Sequence, residues 1–149
     1  MARRSLADWL AWQESLHPTE IELGLERVRT VLERMDLLRP CARVFTVGGT
    51  NGKGSCVATL EALCLEAGRC TGAYTSPHLL HYNERIRVDG VEVDDDALVS
   101  AFEAVEAARD GVSLTYFEFS GAGNISPPRG AYGRARGRAG RAPGCRERR

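Results

Sequence analysis

Lys53 is the only lysine in a chain of 149 residues that otherwise uses arginine for every basic position. It stands in the stretch GTNGKGS, residues 49 to 55, between the apolar run Val44 to Val47 and a second apolar run that starts at Cys56. Glycines let a backbone approach a cluster of oxygens, a helix N-terminus offers unpaired N–H groups, and a compact ammonium adds a full charge. Together these make an anion site, and phosphate is the anion they suit. Arginine presents a wide planar fork and does not replace a point charge in such a pocket. The standard phosphate loop, G-x-x-x-x-G-K-[ST], is matched imperfectly. Val47 stands where the first glycine belongs, and Gly54 follows the lysine, so the hydroxyl arrives one place late as Ser55. The competing reading is a plain glycine turn with Lys53 in solvent; the strand, loop and helix context favours the phosphate site.

A second reactive stretch, YTSPHLLHYNERIRVDG at residues 74 to 90, reads as a long irregular segment at the C-terminal end of a strand, the edge where ligands bind in parallel sheets. It is dense in binding groups: Ser76, His78, Tyr82, Asn83, Glu84, Arg85 and Arg87. Taken alone, His78 and His81 are better read as solvated loop histidines. No nucleophile, base and orienting acid can be assembled from the remaining residues.

These two stretches need elements to position them. Residues 6 to 16 predict a short helix with Trp9 and Trp12 on one face. Ile21, Leu25, Val28, Leu32 and Met35 recur at helical spacing through a second helix, with a start signal at Pro18 and Thr19, a stop at Pro40 and an unexplained Gly24 in its first turns. Arg43 to Val47 predicts the first strand, Lys53 to Ala67 the helix after the loop, Cys70 to Thr75 a second strand and Asp94 to Arg109 a further helix. A strand, helix, strand unit of this length implies parallel pairing through a right-handed crossover, hence an α/β fold.

With 43% hydrophobic and 27% charged residues the composition is that of a soluble globular chain of one-domain length. The N-terminus lacks a signal peptide's apolar core, no run is long enough for a membrane span, and a cytoplasmic location is the default expectation. Five cysteines without a CxxC pair read as buried free thiols. The net charge of zero conceals a division: residues 1 to 120 hold twelve basic and nineteen acidic side chains, whereas residues 121 to 149 hold eight Arg and one Glu. That Gly-, Arg-, Ala- and Pro-rich tail predicts disorder, with a boundary near Ser120. Thr115 and Glu118 form a capping box that announces a helix, yet SGAGNISPPRG follows it with three glycines and two prolines. This contradiction suggests a shifted reading frame in GC-rich DNA. An alternative use of the tail, non-specific nucleic-acid binding through phosphates, is weakened by the presence of only one aromatic, Tyr132.

VFTVGGTNGKGS followed by YTSPHLLHYNERIRVDG resembles the bifunctional dihydrofolate synthase/folylpolyglutamate synthase family, within the Mur-type ATP-dependent amide ligases. The shifted hydroxyl of GTNGKGS and the pairing of TSPHL with ERI are specific to it, HPTEIELGLERV is similar to its segment before the first strand, and SLTYFEF to the start of its next helix. The resemblance covers roughly residues 5 to 119. It implies the N-terminal part of a Mur-ligase-type phosphate-loop ATPase domain with a parallel sheet, incomplete because the family's later strands, acidic metal ligand and C-terminal domain are missing. It further implies ATP and Mg2+ as cofactors, dihydropteroate or folate and L-glutamate as substrates, an acyl-phosphate intermediate, and a monomer without membrane or nucleic-acid partners.

Residue by residue, the resemblance assigns ATP binding to Gly49, Thr50, Asn51, Gly52, Lys53, Gly54 and Ser55, with Lys53 catalytic. It places the metal at Ser76, with Ser55 as a weaker candidate, and the organic substrates near Ile21, Gly24, Leu25, Pro77, His78, Glu84 and Arg85. The alternative enzyme readings are a UDP-muramoyl amino-acid ligase or another phosphate-loop protein, and TSPHL with ERI argues against both. The chain as given is expected to be inactive and to fold poorly alone.

Overall fold

The computed structural model describes residues 4–16, 24–39 and 42–126. They fall into two compact units, one made of residues up to Phe45 together with those from Asp94 onward, the other of Thr46–Val93.

The first unit is helical. α1 (Leu6–Glu14) starts at a capping box in which Ser5 accepts the Asp8 N–H and the Asp8 carboxylate accepts the Ser5 N–H. α2 is Glu26–Arg34, α4 is Asp95–Arg109 with Asp94 as its N-cap, and α5 is Tyr116–Ile125. Phe102, Phe119, Leu114, Val31 and Val105 are fully buried here. Trp9 lies 6.1 Å from Phe119 and 6.2 Å from Phe102 between ring centroids, and Trp12 meets Trp9 edge-on at 5.1 Å, so the two tryptophans share a face as their spacing predicts. Arg34 donates to the carbonyls of Ala108 and Arg109, which the end of α4 leaves without helical partners.

α2 starts late, after Gly24, and its fully buried side chain is Val31, which the expected stripe omits; Leu25 is exposed. The start signal at Pro18 and Thr19, Ile21 and Pro40 lie outside the described residues.

α5 corrects the expectation for its own sequence. The Thr115 and Glu118 capping box is present, with Arg27 3.2 Å from the Glu118 carboxylate. The helix then runs on to Ile125, five residues past the boundary expected at Ser120. Two glycines in a helix cost about 1 kcal/mol each relative to Ala, but a Cβ on Gly123 would stand 2.7 Å from the Phe102 ring. Close packing of α5 on α4 needs that absence and offsets the weak propensity. Residues 127–149, the rest of the tail, lie outside the described residues.

The second unit contains α3 (Lys53–Glu66) and a three-stranded sheet of β1 (Gly72–Tyr74), β2 (Ile86–Val88) and β3 (Val91–Glu92). α3 packs against β1. The sheet is antiparallel throughout, in the order β1-β2-β3, with Ala73 opposite Arg87 and Val88 opposite Val91. This corrects the parallel pair. Residues 43–47 are not a strand, and Val44 and Phe45 are 66% and 62% exposed. A parallel strand is stable when paired and covered on both faces, and among the described residues none pairs with 43–47.

The segment after β1 is also more regular than expected. Its last five residues are β2 and the turn into β3, closed by Asp89 and Gly90 in left-handed conformations. Of the described cysteines, Cys56 and Cys70 are exposed and Cys64 half-buried, against the expectation of burial; Cys56 and Cys64 lie on α3, which buries none of its residues.

Candidate functional site

The glycine loop is shaped by backbone conformations that side chains resist. Gly49 has φ 141° and Gly52 φ 75°, both in the region that favours glycine. Gly52 is also the N-cap of α3 and provides no side-chain cap, so the first N–H groups of the helix have no partner from it. Space around Gly48, Gly52 and Gly54 is open for 4 Å where a Cβ would stand. The Lys53 ammonium folds back over the loop and donates to the carbonyls of Gly49, at 2.5 Å, and Thr50, at 3.1 Å. Two of its three donors thus brace the loop, with the charge held among the same N–H groups. Open glycine backbone, an uncapped helix start and a fixed cation suit a phosphate chain. Ser55 lies exposed in the first turn of α3, beside a shallow depression that it shares with Cys56, Thr59 and Leu60.

Ser76 and Pro77 follow β1 directly, both exposed and joined by a cis peptide bond. The chain then turns through His78 to His81 into a short 3-10 turn, Tyr82–Arg85. The Glu84 carboxylate accepts three backbone N–H groups, those of Leu79, Leu80 and His81, each at 2.7 Å. These bonds, Leu79's the strongest and then those of His81 and Leu80, pull its carboxyl down to about 2. Arg85 Nε donates to His78 Nδ1 at 2.8 Å, and its guanidinium lies 5.2 Å from the Tyr82 ring centroid.

Exposed hydroxyls at Ser55 and Ser76 suit Mg2+, an oxygen-seeking ion that takes few protein ligands and fills its octahedron with phosphate oxygens and water. Among the described residues no three His, Cys, Asp or Glu side chains cluster.

The loop residues 49–55 and the residues Ser76, Pro77, His78, Glu84 and Arg85 thus belong to one unit. Gly24 and Leu25 belong to the other; Ile21 lies outside the described residues. For Glu84 the structure gives partners the sequence did not suggest, since its carboxylate is engaged by its own loop.

Sequence reasoning also missed an ion pair that ties the hairpin to α3. Arg87 of β2 donates from Nε and Nη2 to Glu61 Oε2, at 2.9 and 2.6 Å. Its signal was an acid in the midst of the apolar helix CVATLEALCLEAG, and the Glu61 side chain, though not its whole residue, is 8% exposed.

No family model matches the chain. It is 49% identical over 118 residues to the dihydrofolate synthase/folylpolyglutamate synthase of Escherichia coli strain K12, a match that covers 79% of this chain and 28% of the relative. Among solved structures, Escherichia coli FolC in complex with DHPP and ADP superposes with a TM-score of 0.79 at 47% identity, over 82% of this chain and 30% of that one. The bifunctional folylpolyglutamate synthase/dihydrofolate synthase of Yersinia pestis, complexed with AMPPNP and a Mn ion, gives a TM-score of 0.78 at 50% identity, over 83% and 30%. The chain therefore spans less than a third of the length of the relatives it matches.

Proposed function

Because the chain belongs, through homology to its N-terminal portion, to the dihydrofolate synthase/folylpolyglutamate synthase family, we propose that its parent protein joins L-glutamate to the carboxylate of dihydropteroate or of a folate at the expense of ATP. The observation that carries this reading is the braced loop, in which the chain's only lysine is fixed over left-handed glycines at an uncapped helix start. ATP with Mg2+ would transfer its γ-phosphoryl group to the carboxylate and leave as ADP; the amine of glutamate would then attack the acyl carbon, expel inorganic phosphate, lose a proton and form the amide bond. Such chemistry requires positioning and charge neutralisation rather than a protein nucleophile, which accords with the lack of a triad in the sequence.

In this reading the backbone of residues 49–55 cradles the phosphates and Lys53 offsets the negative charge that builds on them. Ser76, with Ser55 as the lesser candidate, supplies a hydroxyl to the metal. Pro77, His78 and Arg85 line the approach of the organic substrates, and Gly24 and Leu25, with Ile21, contribute to the pterin side. We place the parent protein in the cytoplasm as a monomer without nucleic-acid partners. Among the described residues no helix is long and apolar enough to cross a membrane. The 149-residue chain itself is proposed not to ligate. Its Arg- and Gly-rich end is read as the product of a shifted frame, which translation of the coding DNA in the other two frames tests: an apolar helix and a glycine-rich acidic segment must appear in one of them.

The test of the site is Lys53→Ala in the full-length enzyme. A preorganised charge at a transferring phosphoryl group contributes about 3 to 4 kcal/mol, so ligation should slow roughly 10²- to 10³-fold while pterin binding stays within about twofold. A loss of activity smaller than about fivefold removes Lys53 from the mechanism.

A further inference from the structure

Hydrogen bonds from the start, middle and end of the loop that carries Ser76 lead to the same two residues, Glu84 and Arg85. At its start, the Thr75 N–H donates to the Arg85 carbonyl at 2.8 Å, and the Thr75 hydroxyl reaches the Glu84 carbonyl at 3.5 Å. In its middle, His78 Nδ1 accepts from Arg85 Nε. At its end, the N–H groups of Leu79, Leu80 and His81 converge on the Glu84 carboxylate. Apolar packing holds little of this segment: the His78 ring lies 5.8 Å from that of Tyr82, but Leu79 and Leu80 are 88% and 81% exposed. We propose that Glu84 is a positioning residue, the anchor of a clasp that fixes Ser76 and His78 before any ligand arrives, and that it touches neither substrate nor metal.

The carboxylate is suited to this and an amide is not. Glu84 Oε2 serves Leu79 while Oε1 serves Leu80 and His81. In Glu84→Gln, whichever way the amide is turned, an NH2 faces at least one N–H, so the ring of bonds cannot close. The consequence for the metal rests on the reading of Ser76 given above; the clasp itself does not.

The test uses the full 149-residue chain, with amide exchange by mass spectrometry and binding of Mn2+ with AMPPNP by electron paramagnetic resonance. Glu84→Gln should speed exchange in residues 77–81 by about tenfold, leave α3 within about twofold, and weaken binding of Mn2+ with the nucleotide. Weakened binding with unchanged exchange at 77–81 overturns the proposal in favour of direct contact, and no change in either overturns it outright. Faster exchange in a protein whose wild type binds no Mn2+ with the nucleotide supports the clasp and defeats only the reading of Ser76. If the glutamine variant loses protection in α3 as well, Glu84→Asp decides. Its shorter arm must still speed exchange at 77–81 with α3 unchanged, and failure to do so overturns the clasp.

Discussion

The two compact units hold their residues in place by different means. In the helical unit four helices bury Phe102, Phe119, Leu114, Val31 and Val105 completely, and the aromatic rings interlock around Trp9. Among the described residues the glycine-loop unit confines its buried apolar side chains to Tyr82, Ile86, Val88 and Val93, while α3 buries none and leaves Leu63 63% exposed. What fixes the chemical groups of this second unit is polar: Lys53 on loop carbonyls, Arg87 on Glu61, the Thr71 N–H on Asp89, and the clasp of Glu84 and Arg85. Hydrogen bonds are directional and set the place of an atom, whereas apolar packing supplies the bulk of the stability. A helix as apolar around its circumference as α3 is one that a larger protein covers, and this chain's match spans only 28% of its Escherichia coli relative. The residues proposed for the phosphate and metal site therefore sit in the unit less able to stabilise itself.

The contrast would break first at Phe102. Phe102→Ala removes a fully buried ring and should cost the helical unit about 3 to 5 kcal/mol. Urea unfolding followed by tryptophan fluorescence reads this unit selectively, because Trp9 and Trp12 are the chain's two tryptophans and both lie there. An unmoved midpoint would mean that the aromatic core is not what holds the helices.

Gly123→Ala sharpens the same side of the comparison. Its methyl would meet the Phe102 ring at 2.7 Å, and overpacking of this kind costs about 1 to 3 kcal/mol. Higher helix propensity alone predicts stabilisation, so the sign of the shift in the same urea experiment separates packing from propensity.

On the other side, Leu63→Ala in α3 should change stability by no more than about 0.5 kcal/mol, the ordinary range for a surface substitution. Amide exchange across α3 measures it. A large loss would show that α3 is covered in solution and that the two units are more alike than their burial indicates.

The smallest effect concerns the clasp. The Glu84 carboxyl lies at about 2, below its ordinary 4.5, because three N–H groups favour the charged form. A depressed carboxyl contributes to the fold fully above the ordinary value and loses that contribution as pH falls toward the folded one. The loop at residues 79–81 should accordingly stay ordered down to about pH 3. A carbon-13 titration of the Glu84 carboxyl should find a midpoint near 2, and one near 4.5 would show that the three bonds do not persist in solution.

Much of this was local and could be read without coordinates. Glycines around one lysine announce a tight loop and the helix after it, α4 begins near Asp94 as its sequence indicates, and Thr115 with Glu118 starts α5, because each signal and its target lie within a turn or two of one another. Tertiary structure alone decided what depends on distant partners. Residues 43–47 have a strand's composition but no strand's pairing, and β1 pairs antiparallel with β2 rather than parallel with them. The Glu84 carboxylate gathers its own loop, an arrangement set by where Leu79 to His81 fold. Gly121 and Gly123 read as helix breakers until the Phe102 ring is found against the second of them. Arg27 meets Glu118 across 91 residues of sequence and Arg87 meets Glu61 across 26. Propensity and capping act through bonds between near neighbours, whereas pairing, packing and ion-pair partners are settled only when the chain brings separated segments together.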